Sequence, residues 1–175
     1  MFTEQNYSSH QYAKVEIERR FLLRDIPDDL DPEDSYIRII DLYITHTRLR
    51  LRKMETPAGK TIALKLGQKY LSPDQETLHR TMTTIYSNEV EFQTLASLDG
   101  SALFKRRYPY TYAGYNTSID VFESHLRGLI MLEIQCRSDI DFNDFPVPVF
   151  ALREVTEEPF FTGGELARLT KEEFQ

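Results

Sequence analysis

Polar and apolar residues alternate in short runs along most of this chain, the period-two mark of strands whose two faces meet different surroundings. The runs cover about 13–23, 36–54, 60–70, 79–86, 102–112, 116–123 and 129–137, with turn residues between them. Thr56-Pro57-Ala58-Gly59 is a hairpin-type break. Asp25 to Asp34, with two prolines and six acids, predicts an exposed turn or short helix. Two segments leave the alternation. Ser87 to Leu98 predicts a helix, with Ser87 as N-cap, Glu89 and Glu91 in the first turn and Asp99-Gly100 as the stop. Gly163-Gly164 precede ELARLTKEEF, where Leu166 and Leu169 at i, i+3 predict a short terminal helix, reached through Phe145-Pro146-Val147-Pro148. Residues 1–12 read as a loose polar lead, and no repeat is present. The sum is one domain over residues 1–175, α+β in class but mainly β.

Side chains two apart on a strand share a face. Lys14, Glu16, Glu18 and Arg20 therefore lie opposite Val15, Ile17 and Phe21. Arg48, Arg50 and Arg52 oppose Leu49 and Leu51, while Lys65 and Lys69 oppose Ile62, Leu64 and Leu66. Lys105 and Arg107 oppose Phe104 and Tyr108, and Glu133 and Gln135 oppose Leu132, Ile134 and Cys136. One such strand is an ordinary half-exposed sheet. Five of them, sorted into paired acids and paired bases, ask for more. Paired cations on neighbouring strands repel by about 1 to 4 kcal/mol at 4 Å unless something anionic lies among them. A sheet curled so that the charged faces meet makes a hydrated polar tunnel, with the apolar faces outward beneath helices and loops. Ile119, Val121, Leu129 and Leu132 read as shell residues of such a barrel.

Composition narrows the partners. At 41% hydrophobic and 28% charged the chain is an ordinary globular one, and its net charge of -7 argues against a general nucleic-acid coat. A local gathering of bases for a small anion is still allowed. The single cysteine, Cys136, cannot make an intramolecular disulfide and fits a reducing compartment, where a buried inert thiol is its expected state. With no apolar run of membrane-spanning length and a polar start, the expectation is a cytoplasmic protein without a membrane partner.

At VEIERRF (15–21) the sequence resembles the CYTH, or triphosphate tunnel metalloenzyme, superfamily, whose first strand carries an ExExK signature. The later landmarks follow in family order: DLYI (41–44), RLRLR (48–52), the KLGQK strand, FKRRY (104–108), SIDVF (118–122), RGLIMLEIQ (127–135) and EVTEEPFFTGGELA (154–167). The resemblance spans about residues 14–167. It implies an antiparallel eight-stranded closed β-barrel, the triphosphate tunnel, with flanking helices. It further implies Glu16, Glu18 and Glu133 as ligands of Mg²⁺ or Mn²⁺, with Asp120 either completing that set or holding a basic neighbour. Arg50, Arg52, Lys65 or Lys69, Lys105 and Arg107 would grip phosphate oxygens, and Glu18 and Arg20 would serve catalysis. The implied reaction is metal-assisted hydrolysis of a phosphoanhydride in a small triphosphate, inorganic tripolyphosphate first.

The chain departs from the family at three places. Arg20 stands where Lys is usual, Gln135 stands where many members carry a further metal-binding glutamate, and HRTMTTIY lacks an acid often seen there. Two other readings therefore stay open: an adenylate cyclase or thiamine triphosphatase of the same superfamily, and a module that binds polyphosphate without turnover. Gly59-Lys60-Thr61 imitates a P-loop ending, but Met54 fills the place of the required first glycine. The four histidines (10, 46, 79 and 125) show no metal-ligand spacing.

Overall fold

The computed structural model describes residues 13–33, 35–71, 79–136 and 139–174. Nine strands form one antiparallel sheet: β1 (Ala13–Leu23), β2 (Ile37–Ile44), β3 (Leu49–Glu55), β4 (Thr61–Leu71), β5 (His79–Tyr86), β6 (Gly100–Tyr112), β7 (Tyr115–Phe122), β8 (Ile130–Cys136) and β9 (Ala151–Glu154). Their order is β5-β4-β3-β2-β6-β7-β8-β1-β9, and β1 also pairs β5, so the first eight strands close into a barrel. The long first strand makes the closure. Its Ala13–Ile17 half pairs Thr83 to His79 of β5, and Ile17–Leu23 pairs Cys136 to Ile130 of β8. The free edge at Phe21–Leu23 then accepts β9.

The alternation read along the chain holds in three dimensions. Ile17, Phe21, Leu23, Tyr108, Ile119, Leu132 and Ile134 point outward and are buried beneath the segment that carries Phe142, Phe145 and Phe150. Cys136 joins that cluster, and burial pushes its thiol up to about 11. On the other flank Leu51, Leu64 and Ile44 pack under Phe92 of α1 (Glu89–Ala96). Ile62, Ile85 and Val15 on the outer wall remain about half exposed or more, so the cover is not complete.

Several local expectations change. The run 36–54 is two strands joined by a turn in which His46 takes φ +58°. The N-cap of α1 is Asn88, not Ser87. Asn88 Oδ1 accepts from Glu91 N at 3.0 Å while Asn88 N donates to Glu91 Oε2 at 2.9 Å, a reciprocal capping box. Ser87 is held earlier, by its backbone N–H donating to Leu64 O of β4. The Pro-rich linker leads into β9, which the alternation did not reveal. The terminal helix breaks at Leu169-Thr170 into α3 (Gly163–Arg168) and α4 (Lys171–Phe174), with α2 (Asp139–Asp144) earlier in the chain. Residues 25–33 form turns without a helix, and both Pro27 and Leu30 are buried. The lead at 1–12 and His10 lie outside the described residues. No described helix is long and apolar enough to cross a membrane.

One outward residue of β1 is not apolar. Arg19 is only 8% exposed and is matched to Glu154 of β9 by two parallel bonds, Nε to Oε1 at 2.9 Å and NH2 to Oε2 at 2.7 Å. Its remaining donor reaches the carbonyls of Phe142 and Phe145 at 3.0 and 2.6 Å, and the Phe21 ring lies 5.0 Å beneath it. This fork explains why so short a strand as β9 holds its place. Glu154→Ala is expected to destabilise the protein by about 2 kcal/mol, the scale of lost hydrogen bonds to a charged group, in a urea melt. A loss below about 0.5 kcal/mol would mean that β9 is anchored by its backbone alone.

Candidate active site

The inward residues of all eight barrel strands meet around a cavity of about 610 Å³. Ten bases and four acids line it among the described residues, a surplus of six positive charges within a chain of net charge -7. That inversion is what a concealed anion site requires. All twelve residues singled out from the sequence reach this cavity: Glu16, Glu18 and Arg20 from β1, Arg50 and Arg52 from β3, Lys65 and Lys69 from β4, Lys105 and Arg107 from β6, Asp120 from β7, and Glu133 and Gln135 from β8. Three further bases line it: Arg48 in the β2–β3 turn, which shares the charged face of Arg50 and Arg52 but carries no assigned role, and Arg80 of β5 and Arg168 of α3, which the sequence did not single out. Arg80 was legible in principle, because it alternates with Met82 and Thr84 and stands opposite Glu16 in the register.

The repulsion expected between paired cations is met by the protein's own carboxylates. Asp41, only 1% exposed, accepts from Arg52 Nε and NH2, each at 2.7 Å. Burial would raise its pKa, but the charge and fork of Arg52 outweigh burial and hold it below the ordinary value. Asp120 is equally enclosed. Its Oδ1 accepts from Arg107 Nε at 2.7 Å, and its Oδ2 from Arg107 NH2 and Lys105 Nζ, both at 2.6 Å. Asp120 thus holds its basic neighbours Lys105 and Arg107. Arg107 NH2 also reaches Glu133 Oε2 at 3.0 Å, and despite burial the Arg107 and Lys105 charges keep the Glu133 carboxyl well below the usual range. Lys105 goes the other way: burial lowers its pKa further than Asp120 can restore.

Two bases are less committed. Arg50 Nε is buried without a hydrogen-bond acceptor and lies 3.9 Å from Asp41, while Lys65 Nζ lies over the Tyr86 ring at 5.2 Å. An orphaned guanidinium N–H facing a cavity is costly unless a ligand completes it.

The acids of β1 have a different partner. Lys69 Nζ lies 2.8 Å from Glu18 Oε2 and 3.3 Å from Glu16 Oε2, so one ammonium is shared by two carboxylates on the same face. No three Asp, Glu, His or Cys side chains converge for metal binding among the described residues as they stand. A pair of carboxylates that already holds one cation, open to water and to an anionic ligand, still suits a hard divalent ion, which takes few protein oxygens and keeps its waters. Gln135 stands opposite Glu18 in the β1–β8 register and is exposed at the cavity edge.

The cavity is not charged throughout. Leu103, Phe122 and Met131 point inward at one end and pack against Val155, Phe161, Leu166 and Ala167 of the C-terminal segment. This segment closes the apolar end of the barrel. Tyr43 lies beneath it, and a Cβ at Gly163 would fall 2.0 Å from Tyr43 Oη, so only glycine lets α3 settle so close.

No protein-family profile and no curated protein matches the chain. Solved structures do. The crystal structure of the hypothetical protein NE1496 is 24% identical with a TM-score of 0.58, covering 89% of this chain and 99% of that one. A structure described as the inorganic triphosphatase NE1496 is 24% identical with a TM-score of 0.55, over 87% and 97%. The PH1819 protein from Pyrococcus horikoshii OT3 is more distant, at 15% identity and a TM-score of 0.48, over 74% and 82%. At these identities the likeness is one of fold.

Proposed function

We propose that this chain, whose barrel is a triphosphate tunnel of the CYTH type, is a metal-dependent hydrolase of small triphosphates, with inorganic tripolyphosphate as its first substrate. The observation that carries the reading is the surplus of six positive charges inside the barrel of an acidic protein. The shared fold with a protein described as an inorganic triphosphatase supports it.

Arg50, Arg52, Lys105 and Arg107 surround the cavity from β3 and β6 and would hold the phosphate oxygens, the arginines by forks and the lysine as a point charge. Lys65 extends the same wall. Glu16 and Glu18 would hold Mg²⁺ or Mn²⁺, with Glu133 and Gln135 at hand on β8; when bound, the ion supplies charge neutralisation on the phosphate oxygens. Lys69, which now bridges Glu16 and Glu18, would then be released to the phosphate. Glu18 accepts a hydrogen bond from the attacking water and orients it toward the terminal phosphorus. A new P–O bond forms, the anhydride P–O bond breaks, pyrophosphate leaves, and the water's proton passes to Glu18 or solvent. The bases stabilise the charge that gathers on the bridging oxygen.

The test is phosphate release from tripolyphosphate with and without Mg²⁺ or Mn²⁺, alongside ATP and thiamine triphosphate. Release that needs metal and prefers tripolyphosphate supports the reading; preference for a substituted triphosphate moves it to another member of the superfamily. A binding module has one observation in its favour, the commitment of every cavity carboxylate to a base. It is separated by a ligand that binds without being cleaved.

Ligand binding should also be visible as stability. Tripolyphosphate at 100 times its Kd is expected to stabilise the folded protein by about 2.7 kcal/mol. Arg50→Ala, which removes a guanidinium whose Nε lacks an acceptor, is expected to abolish most of that rise in melting temperature and leave the unliganded fold intact. A variant that responds like the parent would remove Arg50 from the anion site.

A further inference from the structure

Arg20 is the third charged residue that β1 brings to the cavity, and its Nε is buried there without an acceptor while its two outer nitrogens reach the C-terminal segment. Its NH1 donates to Phe161 O at 2.6 Å and its NH2 to Thr156 O at 2.7 Å. The backbone of the same residue grips the same segment: Arg20 N donates to Thr156 Oγ1 at 3.0 Å, and Arg20 O accepts from Val155 N at 2.8 Å. Four hydrogen bonds from one residue thus fix 155–161. That stretch leads directly into Thr162, Gly163 and Gly164, which line the cavity, and into Leu166, which seals its apolar end.

We infer that Arg20 is a positioning residue: its guanidinium bridges two carbonyls of the C-terminal segment and so sets the closing wall of the cavity, without itself contacting the phosphate chain. The inference rests on the proposed triphosphatase reading for its kinetic arm and on geometry alone for its structural arm. A guanidinium spans two carbonyls with two parallel N–H groups in a fixed plane, a geometry that a lysine ammonium does not reproduce. The charge on residue 20 can therefore be kept while the bridge is lost, which separates this role from that of a phosphate ligand.

Arg20→Lys and Arg20→Gln in the full chain are compared with the parent by hydrogen exchange, by tripolyphosphate affinity and by turnover. Both variants are expected to speed amide exchange across 155–168 by about tenfold and leave the strands β2, β3 and β6 unchanged. Both are expected to keep KM within about threefold, because the phosphate-facing bases sit on other strands, while kcat falls about tenfold as the closing wall of the cavity loosens. Exchange at 155–168 equal to the parent in both variants would overturn the inference, as would a large rise in KM for Arg20→Gln that Arg20→Lys repairs. If the parent hydrolyses no triphosphate, the exchange and the calorimetric affinity for tripolyphosphate still decide the matter. Arg20→Lys, which retains the charge, keeps the test usable should Arg20→Gln fail to fold.

Discussion

Metal-dependent phosphate release from tripolyphosphate is expected to fall by about 100- to 1,000-fold in Glu18→Gln, the scale of removing one organised group from a charge-stabilising site. The substitution keeps the side chain's shape and replaces a charged acceptor with a neutral amide. In the parent, Glu18 shares the Lys69 ammonium with Glu16 and stands opposite Gln135 across the β1–β8 pair. Gln135 is already neutral, so a second amide would leave the metal with the carboxylates of Glu16 and Glu133 on these paired strands. The loss should appear in kcat at saturating metal and in a higher metal requirement. Affinity for tripolyphosphate should change little, because the phosphate-facing bases of β3 and β6 are untouched. A variant within about threefold of the parent would remove Glu18 from the catalytic set. A parent that releases no phosphate but is stabilised by tripolyphosphate would instead mark the chain as a binding module.

The inner face of the barrel was legible because strand parity is local. Once β1 is placed, Glu16 and Glu18 must share a side, and the same holds for Arg50 with Arg52 and for Lys105 with Arg107. Parity does not say which acid meets which base, since that depends on the stagger between strands. Asp41 shows the limit. It was seen only as part of a landmark, yet the β2–β3 register sets it opposite Arg52 and makes it the buried counter-charge of that wall. Arg19 shows another. A basic residue on the outer face of β1 looks like solvent-facing charge until β9 supplies Glu154, a contact between residues 135 apart in the chain. The apolar end is the third case. Leu103, Phe122 and Met131 are inward by parity, but an all-charged tunnel leaves them without a role, and only the folded C-terminal segment supplies their partners.

Asp120→Asn is the substitution expected to cost most in stability, about 3 to 5 kcal/mol, the range for removing one member of a buried ionic group. That is a large share of the roughly 5 to 15 kcal/mol available to a domain. The amide can still accept through one oxygen, but it leaves Lys105 and Arg107 with the Glu133 carboxylate as the one remaining counter-charge beside them. The pH dependence gives the mechanism away. Burial would raise the Asp120 pKa from its ordinary 3.8, and the Arg107 and Lys105 charges overcome that and lower it. A depressed carboxylate contributes stability that is complete above its unfolded pKa and is lost as pH falls through the folded one. Asp41 and Glu133 behave alike, so the parent should lose stability steeply below about pH 4. Asp120→Asn should show a shallower acid limb, having one such group fewer. On the alkaline side the slope keeps the same sign, because a depressed lysine also leaves the unfolded chain with the extra proton. Burial already holds the Lys105 pKa below the ordinary 10.5, and loss of Asp120 lowers it more. Between its folded and unfolded pKa values the unfolded chain binds the extra proton, so the variant's stability should climb with rising pH more steeply than the parent's. Urea melts from pH 3 to 10 measure both limbs. Parallel curves, or a loss under about 1 kcal/mol at neutral pH, would mean that Lys105 and Arg107 find other acceptors and that Asp120 is not the anchor of this wall.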